Sequence, residues 1–206
     1  HDDIIDVIQE EDTKDIHLMA GVVTTEKAPI DVSIWDNIKS RAGWLVMLIL
    51  LESFSSNILK MYEDALSTIV ALSFFIPMLI DTGGNAGTQS ATVVIRALAT
   101  GELEAKDAWK VLEKELISSI FLGLILGVIG GFKAYLSHGD ILIGSVIGLS
   151  LSIVVALAGL TGALLPLIAE KFNLDPAVMA GPFITTIVDI VGLIAYFEIA
   201  KLILHI

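Results

Sequence analysis

Cysteine is absent from these 206 residues, so disulfides and thiolate metal sites are excluded. Positive charge is scarce: 12 Lys and Arg stand against 24 Asp and Glu, a formal net charge of -12. Nucleic acid as a partner asks for the opposite balance. No signal-peptide pattern stands at the N-terminus, which is acidic rather than basic and then apolar. Charged residues are only 17% of the chain, against about 25% in a typical soluble domain. What is abundant is apolar: 55% of the residues, with a mean hydropathy of +0.82. The apolar residues come in runs of membrane length, not in the short periodic runs of a soluble fold.

Five such runs are read, at residues 42–61, 65–98, 116–135, 141–168 and 176–204. Each is near or above the roughly 20 residues that cross a bilayer core as a helix. The expected fold is therefore all-α, a polytopic membrane protein with five transmembrane helices per subunit. Three parts are expected: an acidic cytosolic helix end at 1–23, a connector at 24–41, and the pore domain at 42–206. Basic residues orient it. With the N-terminus inside, nine of them (Lys14, Lys27, Lys39, Arg41, Arg96, Lys106, Lys110, Lys114 and Lys171) fall on the inner side and three (Lys60, Lys133 and Lys201) on the outer. The expected location is the inner (plasma) membrane, with a cytoplasmic N-terminus and an extracytoplasmic C-terminus.

The second run carries a polar interruption, Asp81-Thr82-Gly83-Gly84-Asn85-Ala86-Gly87-Thr88-Gln89, preceded by Pro77. Pro and Gly at that depth predict a disturbed backbone, tolerated only where it is buried in protein or lines a wet cavity. Small residues that bare carbonyls, beside short oxygen-bearing side chains, suit a cation path. Two readings of Asp81 stand open: a cap for a helix restarting after the break, or a pore residue.

The fifth run places Asp189 near its middle. A carboxylate at the centre of a membrane helix costs about 2.5–3.5 kcal/mol on insertion scales. No Lys, Arg or His lies at matching depth in any run to pair with it. A cation site is the favoured reading over a buried ion pair or a protonated, hydrogen-bonded carboxyl. Gly181, Thr185 and Gly192 share the face of Asp189 at helical spacing. Pro182 is expected to free a carbonyl one turn back. Glu52 and Glu198 also sit in apolar runs, facing a dimer interface, snorkelling outward, or serving function. Glycines four apart (Gly123, Gly127, Gly131; Gly144, Gly148) allow close helix approach, read as tight packing ahead of gating motion.

Before the first run, Asp2, Asp3, Asp6, Glu10, Glu11, Asp12 and Asp15 crowd fifteen residues. They make either a solvated acidic face or a divalent-cation site. The apolar side of this helix, with Ile4, Ile5, Val7, Ile8, Ile16 and Leu18, needs a partner; a larger soluble domain outside the chain is expected to supply it. Ser33, with Asp36 three residues on, is expected to cap a short helix carrying Ile34, Trp35 and Ile38.

The Asp81–Gln89 motif together with Gly181-Pro182-Phe183-Ile184-Thr185-Thr186-Ile187-Val188-Asp189 resembles the MgtE family of magnesium channels. The segment from Asp2 to Gly21 resembles that family's exit from its second CBS domain. The likeness covers the whole chain. It implies a homodimer with a central pore, Mg2+ passing along the two-fold axis between the second and fifth helices, and Asp189 of both subunits as the selectivity site. Asn85, the carbonyls near Gly84, Thr88 and Thr92 are implied to line the path with Gly181 and Thr185. Asp3, Asp6, Glu11 and Asp15 match positions that bind regulatory Mg2+. Three departures stand out: Thr88 and Gly181 where some relatives have Asn, and Lys14 where a regulatory Glu is common. The cytosolic N domain and nearly all of the CBS pair would be the missing partners, and Mg2+-dependent closure should be impaired without them.

The expected function is thus a channel conducting Mg2+, and other divalent ions with it, into the cytoplasm down its electrochemical gradient. One alternative is a Mg2+ exchanger coupled to Na+ or H+, with Glu52 or Glu198 carrying protons. A remoter one is an intramembrane aspartyl protease using Asp81 and Asp189, although neither aspartate sits in a Gly-x-Gly-Asp setting. No enzyme activity is expected.

Overall fold

The computed structural model describes residues 2–23, 30–103 and 105–205. Among them every regular element is helical. Seven α-helices follow in order: α1 (Asp2–Met19), α2 (Ile34–Met61), α3 (Glu63–Thr68), α4 (Ile76–Ala99), α5 (Ala108–His138), α6 (Ile141–Lys171) and α7 (Pro182–Leu204). Short 3-10 turns precede α4, at Val70–Phe75, and α7, at Pro176–Met179. By length and composition alone, α2, α5 and α6 are apolar enough to cross a membrane.

Helix α2 opens at the expected cap. The Ser33 hydroxyl oxygen accepts from the Asp36 backbone N–H at 3.1 Å. The helix it caps is not short, however. It continues without a break through the 34–41 stretch read as connector and ends at Met61. No Pro or Gly lies between Ile34 and Ala42 to stop it, and Gly43 has open space around it.

The second apolar run divides differently from expectation. The chain breaks at residues 62–75, and the polar motif then lies inside an unbroken α4. Pro77 falls in the first turn, where its missing N–H would have no helical partner anyway. The three motif glycines do not disturb the backbone; they let neighbours close in. A Cβ on Gly83 would meet Val154 and Val188, one on Gly84 would meet Thr185, and one on Gly87 would meet Ile184 and the Ala158 carbonyl. Asp81 therefore caps no restarted helix, because none restarts there.

Helix α6 is the hub, packed on α4, α5 and α7. Its buried side chains include Val146, Ile147, Val154, Val155 and Ala158. Helices α5 and α6 run antiparallel at close range, with Gly123 against Ser152, Gly127 against Gly148, and Gly131 against Gly144 and Gly148. That is the tight packing the four-residue glycine spacing implies. A larger core of Leu72, Phe75, Leu79, Tyr196 and Phe197 fills the end where α2 meets α7. Tyr196 donates its hydroxyl to the Leu72 carbonyl at 2.8 Å, which ties the turn before α4 to α7.

The last apolar run is also shorter as a helix than the sequence implies. Gly181 takes φ 50, ψ -120, a conformation that only glycine enters cheaply. Pro182 follows as the first helical residue, so it lies where no intrahelical carbonyl is freed. Asp189 is then seven residues into a 23-residue helix, about 10 Å from its start, and not at the centre of a 29-residue span.

Candidate functional site

Asp189 is the site's deepest charge, 9% exposed on α7. Its Oδ1 is buried and has no hydrogen-bond partner. A buried carboxylate without partners is strongly unfavourable unless a cation or water compensates it. One turn earlier, Thr185 donates its hydroxyl to the Pro182 carbonyl at 2.9 Å, and Thr186 donates to the same carbonyl at 3.0 Å. Their protons are thereby used, and the hydroxyl lone pairs remain available as acceptors. Thr185 lies against Gly84 of α4, and Val188 against Gly83 and Gly87. Gly192 packs against Val154 of α6.

Helix α4 presents two faces. Gly83, Gly84, Gly87, Ser90, Ala91, Val94 and Ile95 are buried against α6 and α7. Asp81, Asn85, Gln89 and Thr92 are exposed, and Thr88 is half-buried. Positions 81, 85, 88 and 92 fall in one strip, beside the contact of Gly84 with Thr185. Thr92 donates to the Thr88 carbonyl at 2.8 Å, leaving its lone pairs outward. This strip is polar, and nothing else among the described residues covers it.

The expected site residues therefore divide. Asn85, Thr88 and Thr92 form the α4 strip, and Thr185 joins it to Asp189 through Gly84. Gly84 itself is buried in the α4–α7 contact. Gly181 stands in the turn before α7, where an added Cβ would strike the Met19 carbonyl at the end of α1. Gly192, one turn past Asp189, faces α6. The side chains of Asp3 and Asp6 lie outside the described residues. Glu11 is exposed and pairs with Lys14 at 3.3 Å; Lys14 also reaches Asp175 at 4.0 Å. The hydrogen bond from Lys14 to Glu11 raises the pKa of this exposed ammonium above its usual value. Asp15 is half-buried. Among the described residues, no three His, Asp or Glu side chains converge as a metal cage.

Two contacts escaped the sequence. Tyr62, the cap of α2, donates to Glu198 of α7 at 2.7 Å and stacks on Phe197, with centroids 4.6 Å apart. Lys201 completes the group, 3.7 Å from Glu198 and 4.8 Å above the Tyr62 ring. The sequence reading set Glu198 at a dimer interface, snorkelling outward or in a functional role, and did not bring it to Tyr62 or Lys201. Glu115, in the first part of α5, accepts from the buried Ser90 hydroxyl at 2.8 Å.

Residues 76–199, from the start of α4 almost to the end of α7, match the family model MgtE, described as a divalent cation transporter. The chain belongs to the MgtE family. This is a family of transporters, not of enzymes. The magnesium transporter MgtE of Thermus thermophilus is 40% identical over 209 residues, covering 99% of this chain and 45% of that protein. That of Bacillus subtilis is 35% identical over 204 residues, covering 99% and 45%. That of Enterococcus faecalis is 33% identical over 207 residues, covering 98% and 44%. The chain thus spans less than half the length of these relatives. The segment that matches MgtE contains both Asp81–Gln89 on α4 and Gly181–Asp189 leading into α7.

Proposed function

We propose that the chain is the pore-forming part of a Mg2+ channel. Two copies would pair about a two-fold axis and conduct Mg2+ into the cytoplasm. In this reading α2, α4, α5, α6 and α7 span the membrane. At about 1.5 Å per residue, even α7, the shortest of them, reaches roughly 34 Å, enough for a core about 30 Å thick. The observation that carries the reading is Asp189: a buried carboxylate with an orphan oxygen in an apolar helix. Within one subunit α4 and α7 touch through Gly84 and Gly87, so an ion has no room between them. The path would run along the face they share, closed by the same face of a second copy. Two Asp189 carboxylates then bring about two negative charges to a divalent ion.

Mg2+ gives up its waters reluctantly and is held through them. Those waters donate hydrogen bonds outward. Asp189, the Asn85 carbonyl oxygen and the Thr88, Thr92 and Thr185 hydroxyls offer acceptors, so the ion can be held hydrated. No driving ligand is needed, since moving two charges through 100 mV releases about 4.6 kcal/mol.

Helix α1 enters as the regulatory arm. Leu18 and Met19 pack against the buried cluster that includes Ala177, Ala180 and Ile184, and the Met19 carbonyl abuts Gly181. Mg2+ held at Asp3, Asp6, Glu11 and Asp15 by the cytosolic and CBS domains of the full-length protein would therefore act on the start of the helix that carries Asp189.

The test is Mg2+ flux into liposomes by the wild-type protein and by Asp189→Ala. Loss of divalent passage in a folded, dimeric variant is expected. Unchanged Mg2+ flux would move the path elsewhere. Flux that appears only with an imposed Na+ or H+ gradient would replace the channel by the exchanger.

A further inference from the structure

Helices α2 and α7 run parallel in a fixed register. Tyr62 of α2 meets Glu198 of α7 at 2.7 Å, 136 positions apart in sequence. Stepping ten residues back along both helices, about 15 Å at roughly 1.5 Å per residue, reaches Glu52 on α2 and Val188 on α7. Glu52 is thereby level with Asp189. On α2 the buried Ser55, Ile58 and Tyr62 form the row that faces α7, and Glu52 lies one turn before Ser55 in that row. Glu52 is exposed while Ser55 is 3% exposed with an orphan Oγ. The edge of the α2–α7 contact therefore gathers a free carboxylate, a buried unpartnered hydroxyl oxygen, and the orphan Oδ1 of Asp189.

Two like charges brought to one level in an apolar setting repel. They persist where a cation joins them. We propose that Glu52 is a second carboxylate of the cation site, holding a hydrated divalent ion jointly with Asp189 and setting the preference for divalent over monovalent ions. This rests on Asp189 being the cation site. A divalent ion gains twice the attraction of a monovalent one from each added carboxylate. Glu52 therefore raises divalent affinity and discrimination together. Its longer side chain and open position suit contact through the ion's waters, while buried Asp189 fixes the depth.

The experiment measures Mg2+ currents against Mg2+ concentration, and Mg2+/K+ reversal potentials, for the full-length protein in planar bilayers. The variants are Glu52→Gln, Glu52→Asp, Asp189→Asn and the double substitution of Gln and Asn. Glu52→Gln is expected to raise the half-saturating Mg2+ concentration on the order of tenfold and to move selectivity toward K+. Glu52→Asp should restore most of both. The double variant should lose less than the sum of the single losses, because the two groups act on one ion. Glu52→Gln with wild-type saturation and selectivity, while Asp189→Asn loses both, would overturn the role of Glu52 and leave Asp189 standing. Lower conductance in Glu52→Gln with unchanged saturation and selectivity would make Glu52 a packing residue and equally overturn it. An Asp189→Asn channel that saturates and selects normally would overturn the underlying site. Size-exclusion profiles and thermal unfolding of each variant separate these outcomes from misfolding.

Discussion

Ser90 joins three helices through one oxygen. Its Oγ lies 2.8 Å from Glu115 Oε2 on α5 and 2.8 Å from the Gly159 carbonyl on α6. A hydroxyl has a single proton, so it serves one acceptor at a time, and the residue is 6% exposed, out of reach of bulk water. Ser90→Ala leaves the Glu115 carboxylate without this donor. The variant should be less stable by about 1–3 kcal/mol, read as a lower midpoint of thermal unfolding in detergent. Mg2+ selectivity should not change, because Ser90 points away from the α4 strip. Sequence reading could not foresee this bond. Glu115 closes a charged stretch and looks solvated there; only the approach of α4, 25 residues earlier, shows that its carboxylate turns inward. Asp189 is the opposite case. A lone carboxylate in an apolar run is informative by itself, since its burial cost does not depend on which neighbours arrive.

Glycines decide how the helices meet. Gly162 is buried where α6 crosses α4, and a Cβ there would strike the Gly87 carbonyl. Backbone cannot swing aside as a side chain can, so Gly162→Ala must part the helices. A loss of about 1–3 kcal/mol is expected, the usual penalty for overpacking. Gly43→Ala makes the contrast. Gly43 lies inside α2 with nothing within 4 Å of a Cβ, so alanine gains helix propensity, about 0.8–1.0 kcal/mol, at no steric cost. Thermal unfolding of the two variants side by side should show shifts of opposite sign. The same glycines explain what was misread. In a soluble chain the run Gly83-Gly84 after a Pro argues for a break, and here the rule fails because each missing Cβ is filled by a neighbour. Those neighbours, Val154, Thr185 and Val188, come from helices 71 to 105 residues away, beyond any local signal. The helices α2, α5 and α6 were legible because apolar runs of their length leave few other choices. The true start of α7 was not, since Pro182 inside an apolar run reads equally as a kink or as a first turn.

At the scale of the whole molecule, one subunit leaves two kinds of surface open. Large apolar side chains stand exposed along α5, among them Phe121, Leu124, Val128 and Phe132, as expected of a lipid-facing helix. The α4 strip of Asp81, Asn85 and Thr92, with half-buried Thr88 between them, is open too, but polar, and lipid is a poor neighbour for it. A second copy placing its own strip opposite, with water and ions between, satisfies both. The absence of cysteine makes this directly testable, because any thiol introduced is the sole one in the chain. Asn85→Cys should cross-link two subunits in membranes treated with a short bis-maleimide, giving a dimer band on a denaturing gel. Val128→Cys, on the lipid-facing side of α5, should stay monomeric on the same gel. Bound Mg2+ adds a direction to the result: an ion between the strips competes with the reagent, so millimolar Mg2+ should slow cross-linking at position 85 while leaving the reactivity of position 128 unchanged. Equal cross-linking at the two positions would mean that the strip does not face its counterpart, and the polar face of α4 would then need a different cover.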